Sequence, residues 1–364
     1  MVLSSIILTQ FKNYPFQEIT FAEGFNLIYG YNGSGKTNIL DAIHYLALTK
    51  SHFVPQDRMA IMQGSDFFRL EGHFVNASNN TKVVIKYRPA EKRLEVNDDP
   101  LTRLADHIGT IGMVMIAPDD LDVIDGLSNL RRKYMDVSLS QLDRSYLMHL
   151  STYKKLLDQR NAYLKQTQVP DTVFLQVLNE KMAPSSAYLH QCRSTFVAAL
   201  EPNFQSYYGA ISGEKEMVSL KYESELSTKP LLELFGESHH KDLRNRYTHK
   251  GSHKDDLKFL INGQDLKYIG SQGQKKTYLV SLFLAQADYL SHLMPTPPII
   301  LLDDIFDKLD TLRVSHLMRT LSELPCKQII MTDTTDHRVG AIINELSMPL
   351  KYFKIENGQC LSMK

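Results

Sequence analysis

A glycine-rich loop near the start of the chain constrains the fold more than any other feature. Residues 30–37 read Gly-Tyr-Asn-Gly-Ser-Gly-Lys-Thr, after the apolar run Phe25–Tyr29 and before Asn38–Leu48, which has the apolar spacing of a helix. The pattern Gly-x-x-x-x-Gly-Lys-Thr between a strand and a helix is that of a phosphate-binding loop. Glycines let the backbone wrap around phosphates, so that N–H groups and the helix N-terminus face negative charge. The sequence therefore predicts a strand–loop–helix unit that binds a nucleotide.

The residues of this loop have expected roles in binding ATP. Lys36 would reach the β- and γ-phosphates and act in catalysis, and the Thr37 hydroxyl would ligate Mg²⁺. The alternative, a chance glycine-rich turn, is disfavoured by the strand and helix on either side. Lys12 and Asn13, after the first predicted strand, are further candidates to approach the phosphates, and a plain polar loop is their alternative. The full set of predicted contacts here is Lys12, Asn13, Gly30, Tyr31, Asn32, Gly33, Ser34, Gly35, Lys36, Thr37 and Asn38.

A second apolar strand, far along the chain, is followed by two carboxylates. Ile299-Ile-Leu-Leu302 precedes Asp303 and Asp304. A phosphate loop needs a carboxylate at the end of another apolar strand to hold its metal ion, and we assign this role to Asp303. Asp304 is placed to polarise the attacking water as a catalytic residue, where many ATPases carry Glu. Two solvated carboxylates at a strand end are the alternative reading.

A third element, Gly270-Ser-Gln-Gly-Gln274, stands directly before an apolar helix. It resembles the S-x-G-Q signature of ABC-type ATPases, where a helix N-terminus contacts the γ-phosphate bound to a second subunit. Ser271, Gly273 and Gln274 are therefore candidate nucleotide contacts, and Ser271 is also a candidate catalytic residue. An ordinary capped helix start, with Ser271 as the N-cap and Gln274 three residues later, is the alternative. With the loop and the carboxylates, this element indicates an ATP-sandwich dimer.

The order of predicted strands and helices divides the chain into three segments. Residues 1–120 are mostly β and carry the phosphate loop, residues 121–210 are helical with Pro170 between two short arms, and residues 211–364 carry the other motifs. Among these is FDKLD, whose Asp307 takes the position of the ABC D-loop and is a further candidate nucleotide contact. We predict an α/β fold. An ABC-type ATPase head, with a P-loop mixed sheet and an antiparallel β subdomain, is assembled from both chain ends around an inserted helical second domain.

Composition limits what else the chain can bind. Lys plus Arg and Asp plus Glu number 41 each, so any contact with DNA must use local patches. The weakly indicated candidates are Arg131, Arg132, Lys133, Lys154 and Lys155, and solvated helix faces are their alternative. Three scattered cysteines lack metal-ligand spacing, which fits a reducing compartment. No apolar run is long enough to cross a bilayer, so we expect a cytoplasmic location.

Three blocks of the chain resemble the RecF family of SMC-like ABC ATPases in bacterial replication and repair. They are the opening LTQFKNY, the stretch Pro118–Gly126 with Arg131–Asp136, and Gly251–Leu257 with GSQGQKKT. The last two are similar to the family patterns P-[ED]-D-L…G…R-R-x-[FY]-x-D and G-P-H-R-D-D-L…G-S-Q-G-Q-x-R-T. Departures are mild, and Lys276 keeps the charge of the usual signature arginine but loses its bidentate geometry.

The resemblance implies an ATP-dependent DNA-binding protein of recombinational repair and replication restart. ATP would dimerise it on duplex or gapped DNA, with Ser271 acting on nucleotide held by Lys36 of the other subunit. It would help to load the RecA recombinase at gaps with RecO and RecR, and slow, DNA-stimulated hydrolysis would release the dimer. No membrane partner is expected.

Rival functions share part of this pattern. A nucleotide-binding subunit of an ABC-type transporter would normally carry a switch histidine after the strand QIIM, where Thr332 and Asp333 stand. A true SMC protein would need hundreds of coiled-coil residues between the motifs, and a P-loop kinase would need an acceptor pocket. An ATP-gated scaffold with little turnover stays open, because Asp304 is a shorter base than Glu.

Overall fold

The computed structural model describes residues 1–77, 79–166, 171–213, 216–306, 310–346, 348–356 and 358–363. Its strands are β1 Val2–Phe11, β2 Tyr14–Thr20, β3 Gly24–Tyr29, β4 Phe68–Val75, β5 Asn80–Arg88, β6 Glu91–Val96, β7 Asp99–Pro100, β8 Met113–Ile116, β9 Val218–Glu223, β10 Asp256–Ile261, β11 Gln264–Asp265, β12 Ile299–Leu302, β13 Gln328–Asp333, β14 Leu350–Glu356 and β15 Gln359–Met363. Its helices are α1 Lys36–Leu48, α2 Asp122–Asp125, α3 Ser128–Leu142, α4 Arg144–Gln166, α5 Thr172–Ser212, α6 Leu231–Asn245, α7 Leu266–Ile269, α8 Gln272–Leu293, α9 Thr311–Glu323 and α10 His337–Glu345.

The chain forms two compact units that do not follow its linear order. One contains residues 1–120, 207–214 and 277–364, and the other contains residues 121–206 and 215–276. Residues 215–276 therefore group with the helical middle, and the predicted functional division into 1–120, 121–210 and 211–364 stays a prediction. Pro170, expected between the two helical arms, lies outside the described residues.

The first unit contains two six-stranded sheets. One has the order β2-β1-β4-β5-β6-β7, and all its neighbouring strands are antiparallel. The other has the order β15-β14-β3-β13-β12-β8, parallel throughout except for the antiparallel edge strand β15. Because β3, β13 and β12 are parallel neighbours, their carboxyl ends meet at one edge of the mixed sheet, where ligands bind in open α/β sheets.

Helix α1 packs between the two sheets. It contacts β1, β4 and β5 of the antiparallel sheet and β8 and β13 of the mixed sheet. The apolar face predicted for it, Ile39, Leu40, Ile43, Leu46 and Ala47, is fully buried, and so are Ala42 and Tyr45. Burial on nearly all sides is typical of a helix inside a core rather than of a surface helix. The first turn of α1 is thereby fixed at the edge of the mixed sheet.

The second unit combines helices with a small antiparallel sheet of order β11-β10-β9. Helix α3 contacts α4 and β10, and α2 and α7 contact each other. Among the residues that the structure describes, no helix has the length and apolar character needed to span a membrane.

Candidate nucleotide-binding site

The predicted phosphate loop connects β3 to α1 at the carboxyl edge of the mixed sheet. Lys36, the first residue of α1, is 3% exposed. Its Nζ donates to the carbonyl oxygens of Gly30 at 2.8 Å and of Tyr31 at 3.2 Å. The lysine ammonium group is therefore held against the loop's own backbone, beside the helix N-terminus where anions are favoured.

Two glycines of the loop have geometry that other residues would disturb. Gly30 has φ 154°, and a Cβ there would clash with the carbonyl oxygen of Ile355. Gly35 has φ 112°, and a Cβ there would meet the side chains of Asn13 and Tyr14. The left-handed region of φ is open to glycine at little cost. These glycines are thus required for the loop to fold between β3 and α1.

The loop after β1 contacts the phosphate loop directly. The Asn13 amide donates to the Ser34 carbonyl oxygen at 3.3 Å, and the Asn38 amide donates to Asn13 Oδ1 at 2.7 Å. Tyr14 donates its hydroxyl to the Gly35 carbonyl oxygen at 3.1 Å, and burial raises the pKa of this phenol well above its ordinary value. Asn13 and Asn38 are therefore brought to the phosphate loop, as their candidacy requires.

Lys12 is turned toward α1. Its Nζ lies 2.7 Å from Oδ2 of the buried Asp41, and its side chain is 12% exposed. Asp41 also accepts from the Ser51 hydroxyl and the His52 backbone N–H, each at 2.7 Å. The lysine thus has a structural partner, and its predicted contact with phosphates stays a prediction.

The strand ends bring Thr37 and Asp303 together. The Thr37 hydroxyl lies 3.0 Å from both carboxylate oxygens of Asp303, which is 3% exposed. Burial raises the pKa of the Asp303 carboxyl, and the hydroxyls of Thr332 and Thr37 act in the opposite direction. A hydroxyl and a carboxylate are the hard oxygen ligands that Mg²⁺ prefers, so these two residues fit the predicted metal role.

Thr332 connects the two carboxylate residues, and sequence reasoning missed it. Its hydroxyl donates to Asp303 Oδ1 at 2.7 Å and accepts the backbone N–H of Asp304 at 2.9 Å. Asp304 has φ 41°, a left-handed conformation uncommon outside glycine. One buried hydroxyl thus holds the position of Asp303 and the unusual backbone of Asp304. A polar residue at the end of β13 was the only sequence signal.

The signature segment forms a reciprocal helix cap in the second unit. The Gln274 backbone N–H donates to Ser271 Oγ at 3.2 Å, and the Ser271 N–H donates to Gln274 Oε1 at 2.7 Å. This is the capping box named above as the alternative. Ser271 is exposed, while Gly273 and Gln274 are half-buried. The cap is compatible with a signature role, which stays a prediction. Asp307 lies outside the described residues.

The predicted DNA-binding cations differ in their exposure. Arg131 is buried and pairs with both carboxylate oxygens of Asp256, at 2.6 and 3.0 Å. Arg132 is half-buried, whereas Lys133, Lys154 and Lys155 are exposed, with Lys154 Nζ 3.5 Å from Asp136. The guanidinium group of Arg131 is therefore occupied by Asp256 and is not available to an external ligand.

The two longer blocks of the family resemblance meet inside the second unit. Arg193 is buried and pairs with Asp136 of one block at 2.8 Å and with Asp255 of the other at 2.7 Å. Asp136 also accepts from the Tyr146 hydroxyl at 2.6 Å, and Asp255 from the Tyr222 hydroxyl at 2.7 Å. Each buried carboxylate is thus satisfied. The blocks have a structural role here, and no local pattern revealed Arg193.

Comparison with known proteins agrees with this architecture. The family model for the RecF/RecN/SMC N-terminal domain matches residues 2–354. A DNA replication and repair protein RecF of Bacteroides fragilis strain YCH46 is 39% identical, covering 100% of this chain and 99% of the relative. The RecF of Cytophaga hutchinsonii is 35% identical over 99% of this chain and 96% of its own.

Solved structures agree with the sequence comparison. The recombination mediator protein RecF with ATP, of the RecFOR pathway, has a TM-score of 0.88 at 28% identity, covering 99% of this chain and 97% of that one. An Smc head bound to the C-winged helix domain of ScpA, 16% identical with a TM-score of 0.60, shares the fold. The predicted fold class, an ABC-type ATPase head, is confirmed. The chain belongs to the RecF family of DNA replication and repair proteins, within the ATP-binding ABC-type ATPases.

Proposed function

We propose that the chain is an ATP-dependent DNA-binding protein of recombinational repair and replication restart. The observation that carries this proposal is the meeting of Thr37 with Asp303, at 3.0 Å, beside the buried Lys36. These three groups are what Mg²⁺–ATP requires at a phosphate loop. Relatives that match almost the whole chain carry the name DNA replication and repair protein RecF, which supports the choice of DNA as the partner.

In the proposed site, each residue has one task. Lys36 would exchange the carbonyl oxygens of its loop for the β- and γ-phosphates, and Thr37 and Asp303 would hold Mg²⁺. The ion supplies neutralisation of charge on the phosphate oxygens when bound. Asp304 orients the attacking water, and Thr332 fixes the backbone from which the Asp304 carboxylate projects. Because Asp304 is shorter than Glu, we expect ATP hydrolysis to be slow. We also expect DNA to stimulate it.

We propose that nucleotide is shared between two copies of the chain. Ser271 is exposed at the start of α8, and its hydroxyl oxygen accepts from the Gln274 N–H, which leaves its proton to be donated. A helix N-terminus with a free hydroxyl proton suits the γ-phosphate bound by a second copy. Gly273, Gln274 and Asp307 complete this predicted contact. ATP would then stabilise a homodimer, and hydrolysis would release it.

The proposed partners follow from the family. We infer binding to duplex and gapped DNA, and cooperation with RecR, with RecO and indirectly with RecA at gaps. The solved relative, the recombination mediator protein RecF with ATP in the RecFOR pathway, supports this placement. We propose that residues 1–120 and 211–364 act together as the ATPase head. Residues 121–210 would act as the inserted domain.

The test is ATP hydrolysis with and without duplex DNA. The wild-type chain should release phosphate slowly and speed up when duplex is added, whereas Asp304→Asn should bind ATP but release about 10²-fold less phosphate, as for the loss of one catalytic proton-transfer group. A rate of phosphate release that does not change when duplex DNA is added would contradict the proposal. Normal turnover in Asp304→Asn would contradict it as well.

A further inference from the structure

The end of α6 and the chain that follows it form a strongly basic segment. Residues 239–254 contain five lysines and arginines and one acidic residue, Asp242, in a chain whose formal charges balance. Asp242 is 1% exposed and lies 2.9 Å from the guanidinium group of Arg160, which is also 1% exposed. The only carboxylate of the segment is therefore neutralised in the interior, and the charge it presents to solvent is positive.

Four cations of this segment point to solvent. Lys241, Arg244, Arg246 and Lys254 are exposed, and within the described part of the chain none of them forms an ion pair. Lys250 differs, because it pairs with Glu225. Exposed cations without local carboxylates keep their full attraction for an external anion.

The basic segment is continuous with two of the cations that the sequence analysis selected. Arg132 donates to the Asp255 carbonyl oxygen at 2.6 Å, so α3 contacts the chain directly after the basic segment. The exposed Lys133 follows Arg132, and the exposed Lys254 precedes Asp255. Lys254 itself lies 4.7 Å from the centre of the Tyr247 ring. One exposed lysine of α3 and one of the basic segment therefore flank the same contact between the two elements.

Helix α4 adds a third contribution. The Tyr153 hydroxyl lies 2.8 Å from His253 Nδ1, and the exposed Lys154 follows Tyr153. Burial lowers the pKa of His253 to about 4, so this histidine is neutral at physiological pH. The positive charge of the surface therefore comes from lysine and arginine side chains, which are charged at every pH relevant to the cell.

Arg246 occupies a position that suits glycine better. It ends α6 with φ 54°, and its backbone N–H donates to the Asp242 carbonyl oxygen. This left-handed cap is usually glycine, because a side chain there is strained. Within the described residues, Arg246 forms no ion pair that could offset this strain. Replacing Arg246 by glycine would therefore remove the charge while keeping the left-handed cap of α6.

We propose that the basic surface formed by Lys133, Lys154, Arg244, Arg246 and Lys254 binds the phosphate backbone of duplex DNA. The assignment rests on the proposed DNA-binding function and gives it a location. Several cations from α3, α4 and the basic segment match the repeated charges of a duplex, and they contact phosphates rather than base edges. Binding at this surface is therefore independent of sequence and falls steeply with salt.

The first experiment compares two double variants by fluorescence anisotropy on a labelled duplex with Mg²⁺–ATP, between 50 and 200 mM salt. Arg244→Gln with Lys254→Gln removes two proposed contacts, and we expect the slope of log K against log salt to become shallower by about 2, at about 0.9 per contact. The matched control is Lys165→Gln with Lys181→Gln, two exposed lysines of the same unit. The control should keep the wild-type slope.

Arg246→Gly separates strain from function. We expect this variant to unfold at an unchanged or higher temperature and to bind duplex several-fold more weakly. Wild-type affinity and slope in both Arg246→Gly and the Arg244/Lys254 variant would overturn the assignment while leaving DNA binding intact. A wild-type chain that shows no salt-dependent duplex binding would instead overturn the proposed function. Tighter binding of the wild type to phosphatidylserine vesicles than to duplex, lost in the Arg244/Lys254 variant, would assign the surface to a membrane and contradict the proposal.

Discussion

Thr332 and Asp303 lie at the ends of neighbouring parallel strands and share a hydrogen bond of 2.7 Å. The same threonine oxygen accepts the backbone N–H of Asp304 at 2.9 Å. A single buried hydroxyl therefore links the proposed metal ligand to the residue proposed to orient water. The switch histidine of ABC transporters is absent from this strand end, and a linkage between the two aspartates stands there instead.

Thr332→Val should slow ATP hydrolysis more than it weakens ATP binding. The change removes the partner of the Asp304 N–H and one of the hydroxyl donors to the Asp303 carboxylate, a loss of about 1–3 kcal/mol, or about 5- to 150-fold in kcat. Steady-state kinetics with a separate nucleotide-binding measurement checks this. Thr332→Ser, which keeps the hydroxyl, should restore most of kcat. Equal losses in the Ser and Val variants would show that the hydroxyl is not responsible.

Lys36→Ala and Ser271→Ala should fail at different steps. Loss of the Lys36 ammonium group should weaken ATP binding about 10- to 100-fold, as for the loss of a charged hydrogen bond of about 1.5–3 kcal/mol. Ser271→Ala should bind ATP normally, because Ser271 acts on the nucleotide of the other copy, and should lose dimerisation. Calorimetry and light scattering measure the two steps. Equal dimerisation of both variants would disprove action across the dimer.

The stability of the second unit should fall in mild acid because of His253. Its folded pKa of about 4 lies below the ordinary 6.5, so the unfolded chain takes up the proton first as the pH falls. The stability that the neutral histidine contributes is complete above pH 6.5 and is lost as the pH falls toward 4, by about 1–2 kcal/mol between pH 7 and 5. Urea unfolding at the two pH values measures the loss.

His253→Gln provides the control for this pH dependence. Glutamine cannot titrate, and its amide can still donate to the Thr248 carbonyl oxygen, which lies 3.0 Å from His253 Nε2. The variant should lose less stability than the wild type between pH 7 and 5. Identical losses in the two proteins would assign the pH dependence to other groups of this unit, such as the half-buried His190, whose pKa is also lowered by burial.

Arg160→Met should destabilise the chain strongly. Arg160 pairs with Asp242, donates to Thr248 Oγ1 at 2.6 Å and lies 4.3 Å from the centre of the Phe235 ring. Removing it leaves the Asp242 charge buried, which costs about 3–5 kcal/mol. Lys165 lies on the same helix and is exposed. Lys165→Met should therefore change the unfolding free energy by less than about 0.5 kcal/mol. Similar losses from both variants would contradict the buried pairing.

Local patterns predicted the parts of the site that neighbouring residues create. The phosphate loop, the strand QIIMTD, observed as Gln328–Asp333, and the strand before Asp303 are all in place. The apolar helix predicted after the signature segment is observed as α8, Gln272–Leu293. In each case glycine, apolar runs and capping residues lie within one short stretch of chain, so no long-range contact had to be known.

Long-range pairings could not be predicted in the same way. Thr332 meets Asp303 only because β12 and β13 pair in parallel register. Arg131 belongs to a run of three cations that reads as a solvated face, yet Asp256, 125 residues later, pairs with it. The last two strands, β14 and β15, were also missed, because their alternation is short and β14 contains two lysines and a tyrosine. Register and burial are properties of the folded chain rather than of a local window.

The most direct test of the ATP-gated dimer is the mass of Asp304→Asn with Mg²⁺–ATP, measured by light scattering without and with a gapped duplex. The variant should bind ATP without hydrolysing it. We predict that ATP doubles the protein mass and that the dimer remains bound when gapped duplex is added. A mass that stays that of one chain under all these conditions would contradict the ATP-gated dimer.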